Sequence, residues 1–493
     1  MHASTFVHLL AANAANHPDR AAVRFVEGEG CMTYGEWAAW AGSYAARFQE
    51  AGLQPGQVLA LPADRSREFF AAMYGAWMAR LNVALLNPDL APADLAGAVA
   101  LAEPVAAAGH PDSVAKLGLQ QTFFEFRDEG RPPEAVITDP ADFSVIVFTS
   151  GTTGRPKGVQ HTHAGMFACV AATFDVFPLE DGCVMMSILP HFHLHGLMMT
   201  VILPQFCAGT TVVAPAFGPF LAPRLWDLIR RYEVNHFSGV PGILGVMADF
   251  FLRLDAPPPP SLRFGFCASA PLSAEARAVW FDRIQCPIAN NYGLSEASSW
   301  VAFGPLDREP ETTVGRPTVC DIRVVDDDGH PLPHGKIGEV TIAGAQLMHG
   351  YVDNPEQTAL ALRDGRLFTG DLGWLDEAGW LYLKGRKAEM INVGGLKVAP
   401  MEIEGAAKHL PGVAEVAAFG YPDPRLGEVP ALAVVPAGQP PTVTEVRRLL
   451  APILTAYKLP RKVFLVEALP RNALGKLQRT ALRQRFVPGN ADA

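Results

Sequence analysis

The stretch Phe148-Thr149-Ser150-Gly151-Thr152-Thr153-Gly154-Arg155-Pro156-Lys157-Gly158 gathers four hydroxyl side chains, three glycines and a lysine. Hydroxyls and backbone N–H groups donate to phosphate oxygens, and glycine lets the backbone come close to them. Lys157 adds a positive charge. The apolar run Ser144-Val145-Ile146-Val147-Phe148 before it reads as a buried strand, and residues 161–170 after it read as a helix. Placed between the two, the stretch reads as a nucleotide-phosphate loop. It is not a Walker A loop, whose Gly-x-x-x-x-Gly-Lys-Ser/Thr pattern does not occur here. The competing reading is a Gly/Ser/Thr turn that binds nothing.

Further along, Leu189-Pro190-His191-Phe192-His193-Leu194-His195-Gly196 sets three histidines at alternate positions. On an extended segment that spacing would turn three imidazoles one way, toward a metal. Pro190 and Gly196 instead bracket a turn, and no Cys/Asp cluster joins the histidines. A histidine packed beside a strand end is therefore a second reading. In Asn290-Asn291-Tyr292-Gly293-Leu294-Ser295-Glu296 an aromatic ring can stack on a base, a hydroxyl can reach a phosphate, and a carboxylate can hold Mg²⁺. Asp371, in Phe368-Thr369-Gly370-Asp371-Leu372-Gly373, offers a carboxylate of the kind that holds the vicinal hydroxyls of a ribose, and Arg386 follows in Lys384-Gly385-Arg386. A surface salt bridge is the alternative for that pair. Lys476 follows Gly475 on a loop and, standing alone, reads as solvated.

Composition narrows the field. At 493 residues, and roughly 150 per domain, the chain holds about three folding units. A formal charge of −10 argues against nucleic acid as the main partner. Seven scattered cysteines with no Cys-x-x-Cys read as reduced thiols in a cytoplasmic protein. The first residues lack a secretory signal pattern, and no run of 18 apolar residues predicts a membrane span.

The elements that must position these groups alternate between strand and helix. Strands are predicted at 58–61, 83–86, 145–148, 184–189, 211–213, 235–239 and 262–267, and helices at 5–17, 33–51 and 68–80. This pattern predicts an α/β protein with a large N-terminal domain of parallel-rich βα layers. Short strands and turns over 315–350 predict a small β-rich subdomain. Helices at 402–409 and 444–456, with strands at 413–419, 431–435 and 462–466, predict a small α+β C-terminal domain.

Taken together and in order, the motifs from 148 to 479 resemble those of the adenylate-forming superfamily: acyl-CoA synthetases, luciferases and peptide-synthetase adenylation domains. The resemblance implies an N-terminal AMP-binding domain at 1–387 and a mobile C-terminal domain at 388–493 with its hinge at Ala388. It implies ATP contacts from Thr149, Ser150, Gly151, Thr152, Thr153, Gly154, Lys157, Ser269, Asn291, Tyr292, Gly293, Ser295, Asp371, Arg386 and Lys476. Glu296 is the expected Mg²⁺ ligand; Lys476, His193, Thr152 and Glu296 are the expected catalytic residues. His193, His195, Phe237, Cys267, Ala268 and Leu294 are expected at the acid, and Gly394, Gly395 and Leu396 on the coenzyme A side. In the turn Cys267-Ala268-Ser269-Ala270-Pro271-Leu272-Ser273, Ala268 and Ser269 replace glycines common in the family. The implied activity is AMP-forming ligation of a small-molecule carboxylic acid to coenzyme A by a monomer or homodimer. A stand-alone enzyme loading a carrier-protein thiol is the alternative within the superfamily, and a non-catalytic nucleotide-binding regulator the alternative outside it.

Overall fold

The computed structural model describes residues 4–487 apart from 29, 124–138, 151–155, 178, 255, 271, 308, 309, 311 and 472–476. Gly151, Thr152, Thr153, Gly154 and Lys476 therefore lie outside the described residues, as does the side chain of Ser150. The chain forms two compact units, Met1–Asp321 with Ile342–Leu367, and Ile322–Thr341 with Phe368–Ala493.

Two seven-stranded sheets build the first unit. In one, the strand order is Ile288–Asn290, Phe264–Cys267, His236–Gly239, Val184–Ser187, Thr210–Val213, Ala21–Phe25 and Cys31–Thr33. All neighbours are parallel except the last pair. The other runs Gly350–Tyr351, Pro156–Thr162, Phe143–Ser150, Asn82–Leu86, Val58–Pro62, Ala106–Ala108 and Thr122–Phe123.

Helix Tyr34–Glu50 shows how local sequence sets these elements. Thr33 and Glu36 form a capping box, and Trp37, Ala41, Tyr44 and Phe48 recur on one buried face. That face meets helix Arg67–Met78, whose N-cap is Ser66, with Trp37 edge-on to Tyr74 at 4.8 Å. Under the first sheet, Trp226, Phe237, Phe251, Cys267 and Trp280 fill one buried cluster. Each such side chain contributes about 1.5–3 kcal/mol of burial.

One expected element differs. Residues 161–170 are not a single helix after a loop. Pro156–Thr162 is a strand that folds back antiparallel on Phe143–Ser150, and the helix runs over His163–Val176 with Thr162 as its N-cap. Period-2 burial of Val159 and His161 outweighed the helical spacing that begins only at 163. The phosphate-loop motif thus sits at a β-hairpin in which Thr149 stands opposite Lys157.

In the second unit, strand Arg366–Leu375 pairs antiparallel with Leu381–Arg386. Strands Leu396–Val398, Ile391–Val393, Gly427–Pro436 and Val413–Asp423, with Lys462–Leu465 beside Gly427–Pro436, form a further sheet. Helices Pro400–Ala407 and Val443–Leu450 cover one of its faces through Ile403, Ala407, Val446 and Leu450. Helix Arg479–Phe486 covers a second core through Leu482.

Candidate active site

Three of the motif segments leave the carboxyl ends of parallel strands in one sheet. From Ile288–Asn290 the chain enters the Tyr292–Glu296 motif, and from Phe264–Cys267 the Ser269 turn. His236–Gly239 and Val184–Ser187 follow in the same sheet, the latter leading to the histidine segment. The carboxyl edge of a parallel sheet is where α/β proteins place their ligands, because loops there converge from separate strands.

His195 is the centre of this convergence. Its Nε2 lies 2.6 Å from Ser238 Oγ and its Nδ1 3.5 Å from Ser269 Oγ. Its ring meets Trp300 edge-on at 5.3 Å. The indole Nε1 of Trp300 is buried with no hydrogen-bond partner among the described residues. His193 is half-buried and packs on Phe192 at 4.6 Å. His191 turns elsewhere, to Ser187 Oγ at 2.9 Å and the ring of Phe69. The three histidines therefore do not converge on a metal; among the described residues only Asp326, Asp328 and His330, elsewhere, bring metal-ligating atoms together.

Strand alternation also sorts the residues expected at the acid. Ser238 faces His195, so Phe237 faces the opposite side, where it packs on Trp280 at 5.2 Å. Cys267 lies in that same core, and burial pushes its thiol up. Phe237 and Cys267 thus belong to the core behind the sheet, while Ser238 and Phe266, the latter 5.1 Å from Trp300, occupy the face of His195. The period of two within each strand was the signal that finds Ser238.

Several features fix this arrangement. Arg65, absent from every motif, donates to the carbonyls of Ser187, Ile188, Leu189 and Ala214 at 2.9–3.3 Å. It ties two strand ends to the start of the histidine segment; burial lowers it to about 10, which leaves it charged at neutral pH. A Cβ on Gly196 would fall 2.2 Å from the carbonyl oxygen of Pro190, so only glycine closes that turn. Ser269 adopts φ +75, in the left-handed region that favours glycine. A left-handed serine costs about 1–2 kcal/mol, and here its hydroxyl is directed at His195.

Burial drives the described histidines 161, 163, 191, 193, 195 and 236 down to about 3–4. His195 is lowered further by His193, and both are neutral at physiological pH. In the unfolded chain each takes a proton near pH 6.5. Below that pH the unfolded state binds more protons than the native one, so the stability these histidines carry is complete above about 6.5 and is lost as pH falls toward 4. The melting temperature is expected to decline steadily from pH 6.5 to 4.5. A constant value over that range would contradict the burial of these rings.

The Tyr292 motif forms a hairpin, Tyr292–Leu294 against Ser299–Phe303. Glu296 stands in the short helical turn between them, and its Oε1 accepts from the hydroxyl of Tyr351 at 2.9 Å. Its other carboxylate oxygen has no partner among the described residues. Lys157 lies over the ring of Tyr351 at 5.0 Å and donates to Gln357 Oε1 at 3.3 Å. Tyr351 thus joins Lys157 to Glu296, a link between residues far apart in sequence that no motif contains. Asn291 is buried, and its Oδ1 accepts from the backbone N–H of Gly304. Leu294 is half-buried, and Ala268 is buried.

In the second unit, Asp371 and Arg386 are cross-strand partners, with Arg386 Nε 2.9 Å from Asp371 Oδ1. The salt-bridge reading is thus met, in a geometry that also leaves the guanidinium partly exposed. Ala388 sits exposed in the turn Lys387–Glu389. Lys387 reaches Asp327 at 2.9 Å and Glu339 at 3.1 Å, while Glu389 pairs with Arg479 at 2.8 Å. Both residues flanking Ala388 are therefore held by ion pairs. Gly394 (φ +58) and Gly395 (φ +89) make the two-residue turn of the hairpin 391–398, a conformation that demands positive φ at both positions. Leu396 beside it is exposed. Arg471 and Leu477, which flank residues 472–476, bridge antiparallel.

Residues 10–352 match the family described as AMP-binding enzyme, and residues 402–476 match the AMP-binding enzyme C-terminal domain. The chain belongs to the AMP-binding enzyme family, in its CoA ligase branch. It is 35% identical to the probable CoA ligase CCL9 of Humulus lupulus, over 71% of this chain and 67% of that one. It is 29% identical to the oxalate–CoA ligase of Arabidopsis thaliana over 99% of both. ATP-bound MatB from Rhodopseudomonas palustris superposes with a TM-score of 0.87 at 27% identity, covering 98% of this chain and 99% of the other. The α/β class, with a large N-terminal region of parallel sheets, β subdomains and a small C-terminal domain, is the one the sequence predicts. No helix among the described residues is long and apolar enough to cross a membrane.

Proposed function

We propose that this enzyme joins a short carboxylic acid bearing a second oxygen acceptor to coenzyme A, using ATP and Mg²⁺. In the first step an oxygen of the acid attacks the α-phosphorus of ATP, and the bond to diphosphate breaks. In the second, the thiol of coenzyme A attacks the acyl carbon and AMP leaves. The first step brings anions together, so cations must surround the phosphates: Lys157 and Lys476 take that role, each contact worth about 4 kcal/mol at 4 Å and an effective dielectric of 20. Thr149, Ser150, Thr152, Thr153 and the glycine N–H groups of 151 and 154 donate to phosphate oxygens, with the Ser295 hydroxyl at the α-phosphate. Tyr292 stacks on the base, with Gly293, Asn291 and Ser269 lining its approach, and Asp371 with Arg386 holds the ribose. Ala388 is the pivot about which residues 388–493 turn, exchanging Lys476 for the Gly394-Gly395-Leu396 turn when coenzyme A enters.

Glu296 fits Mg²⁺, since Tyr351 orients one carboxylate oxygen and the other is not taken up within the described residues. When bound, the ion supplies charge neutralisation at the phosphates. Tyr351→Phe keeps the ring under Lys157 but removes the hydroxyl that orients Glu296. It is expected to lower the rate about tenfold at limiting Mg²⁺ and to recover at high Mg²⁺, as loss of one outer-sphere partner does. A magnesium titration superimposable on that of the unaltered enzyme would contradict the assignment.

The choice of acid is carried by one observation: neutral His195 is held by the hydroxyls of Ser238 and Ser269 and packs on Trp300, whose buried indole N–H has no hydrogen-bond partner among the described residues. A buried donor left unpaired beside an alkyl chain costs affinity, whereas an oxygen acceptor on the acid satisfies it and can add to the polar set around His195. Oxalate, glycolate and malonate are therefore expected to exceed propionate, butyrate and hexanoate in kcat/KM by about 100-fold or more. Equal or better rates with the alkyl acids would overturn this choice while leaving the ligase reaction itself intact.

A further inference from the structure

Cys183 and Cys207 lie outside every motif, yet their sulfurs are 3.4 Å apart, close enough for one thiol to donate to the other. They are separated by 24 positions, and the segment between them carries His193 and His195. The backbone around the pair is already tied: the N–H of Gly182 donates to the carbonyl of Cys207 at 2.8 Å, and that of Thr210 to the carbonyl of Cys183 at 2.7 Å. A Cβ on Gly209 would come within 2.9 Å of the Cys183 sulfur, so the glycine keeps this contact open. Cys183 is buried, whereas Cys207 is partly exposed, which makes Cys207 the more accessible residue of the pair.

We propose that Cys183 and Cys207 form a thiol–disulfide site, closed by peroxides and reopened by dithiols. The thiolate of Cys207 attacks one oxygen of hydrogen peroxide, the O–O bond breaks, and sulfenic acid forms with release of water after protonation. The sulfur of Cys183 then attacks the sulfenic sulfur, its proton leaves with the departing hydroxide as a second water, and the S–S bond is made. Two thiols are oxidised and one peroxide is reduced to two waters. Bonding requires the sulfurs to close from 3.4 Å to about 2.05 Å, a side-chain adjustment between two backbone segments already joined by the Gly182–Cys207 and Thr210–Cys183 hydrogen bonds. Donation from Cys183 favours the thiolate at Cys207, the nucleophile this order of events needs. The five other cysteines have no such contact among the described residues, and Cys169, Cys267 and Cys286 are buried.

The test is peptide mapping of the full chain after hydrogen peroxide treatment and alkylation under denaturing conditions. A chymotryptic digest should contain a Cys183–Cys207 cross-linked peptide, lighter by two hydrogen atoms than its separate halves and split by dithiothreitol. In Cys207→Ser the cross-link should vanish and Cys183 should stay reduced. In Cys183→Ala, Cys207 should instead be trapped as sulfenic acid by dimedone. The unaltered protein alone decides the matter if either variant folds poorly. Both thiols remaining free while the exposed Cys31 is oxidised would overturn the proposal, as would Cys207 passing to sulfinic acid unpaired.

Discussion

Gly293→Ala is expected to remove nearly all activity and a large part of the stability of the first unit. A Cβ at this position would fall 1.5 Å from the carbonyl oxygen of Ser299 and 2.8 Å from the Cα of Trp300. These are backbone atoms of the paired strand and have no rotamer through which to escape. The hairpin must open by more than 1 Å, carrying Tyr292 and Glu296 with it and loosening Trp300 from His195. Forced overpacking costs about 1–3 kcal/mol even where side chains can yield, so about 3 kcal/mol or more is expected here. Displacing reacting groups by about 1 Å costs on the order of 100-fold in rate. Chemical denaturation and acid-dependent diphosphate release measure the two effects separately. A variant of normal stability and normal rate would mean that the hairpin is not built as described.

Lys476→Ala is expected to slow adenylate formation by roughly 10²–10³, the scale for deleting one charged donor to a transition state. Thioester formation from supplied acyl-adenylate and coenzyme A should be largely spared, because diphosphate has already left. The proposal rests on the position of Lys476 after Gly475 in a family-matched C-terminal region. Equal damage to both half-reactions would mean that the two steps do not divide between Lys476 and the Gly394-Gly395 turn.

Much of the fold could be read in advance because parallel strands buried on both faces announce themselves as apolar runs, as at 83–86 and 145–148. Motifs at 148–158, 290–296 and 371–386 were equally legible, since each needs glycine or a charged residue at fixed offsets. Ser238, Tyr351 and Arg65 were not legible in that way. Tyr351 meets Glu296 across 55 positions, and Arg65 reaches carbonyls more than 120 positions away. Such contacts arise from sheet order, which local spacing does not encode. Ser238 was within reach, because an inward Phe237 on a strand dictates an outward neighbour. His161 and Thr162, which end the strand over 156–162, were read into a helix at 161–170, because Val159 and His161 are too few to show a period of two in the sequence.

The account turns on acid-dependent cleavage of ATP between the α- and β-phosphates. With oxalate, glycolate or malonate, ATP, Mg²⁺ and coenzyme A, each acyl-CoA formed should be matched by one AMP and one diphosphate. Omitting coenzyme A should leave acid-dependent exchange of labelled diphosphate into ATP. Formation of ADP and phosphate, AMP release that ignores the acid, or transfer to a carrier-protein thiol but not to coenzyme A would contradict it.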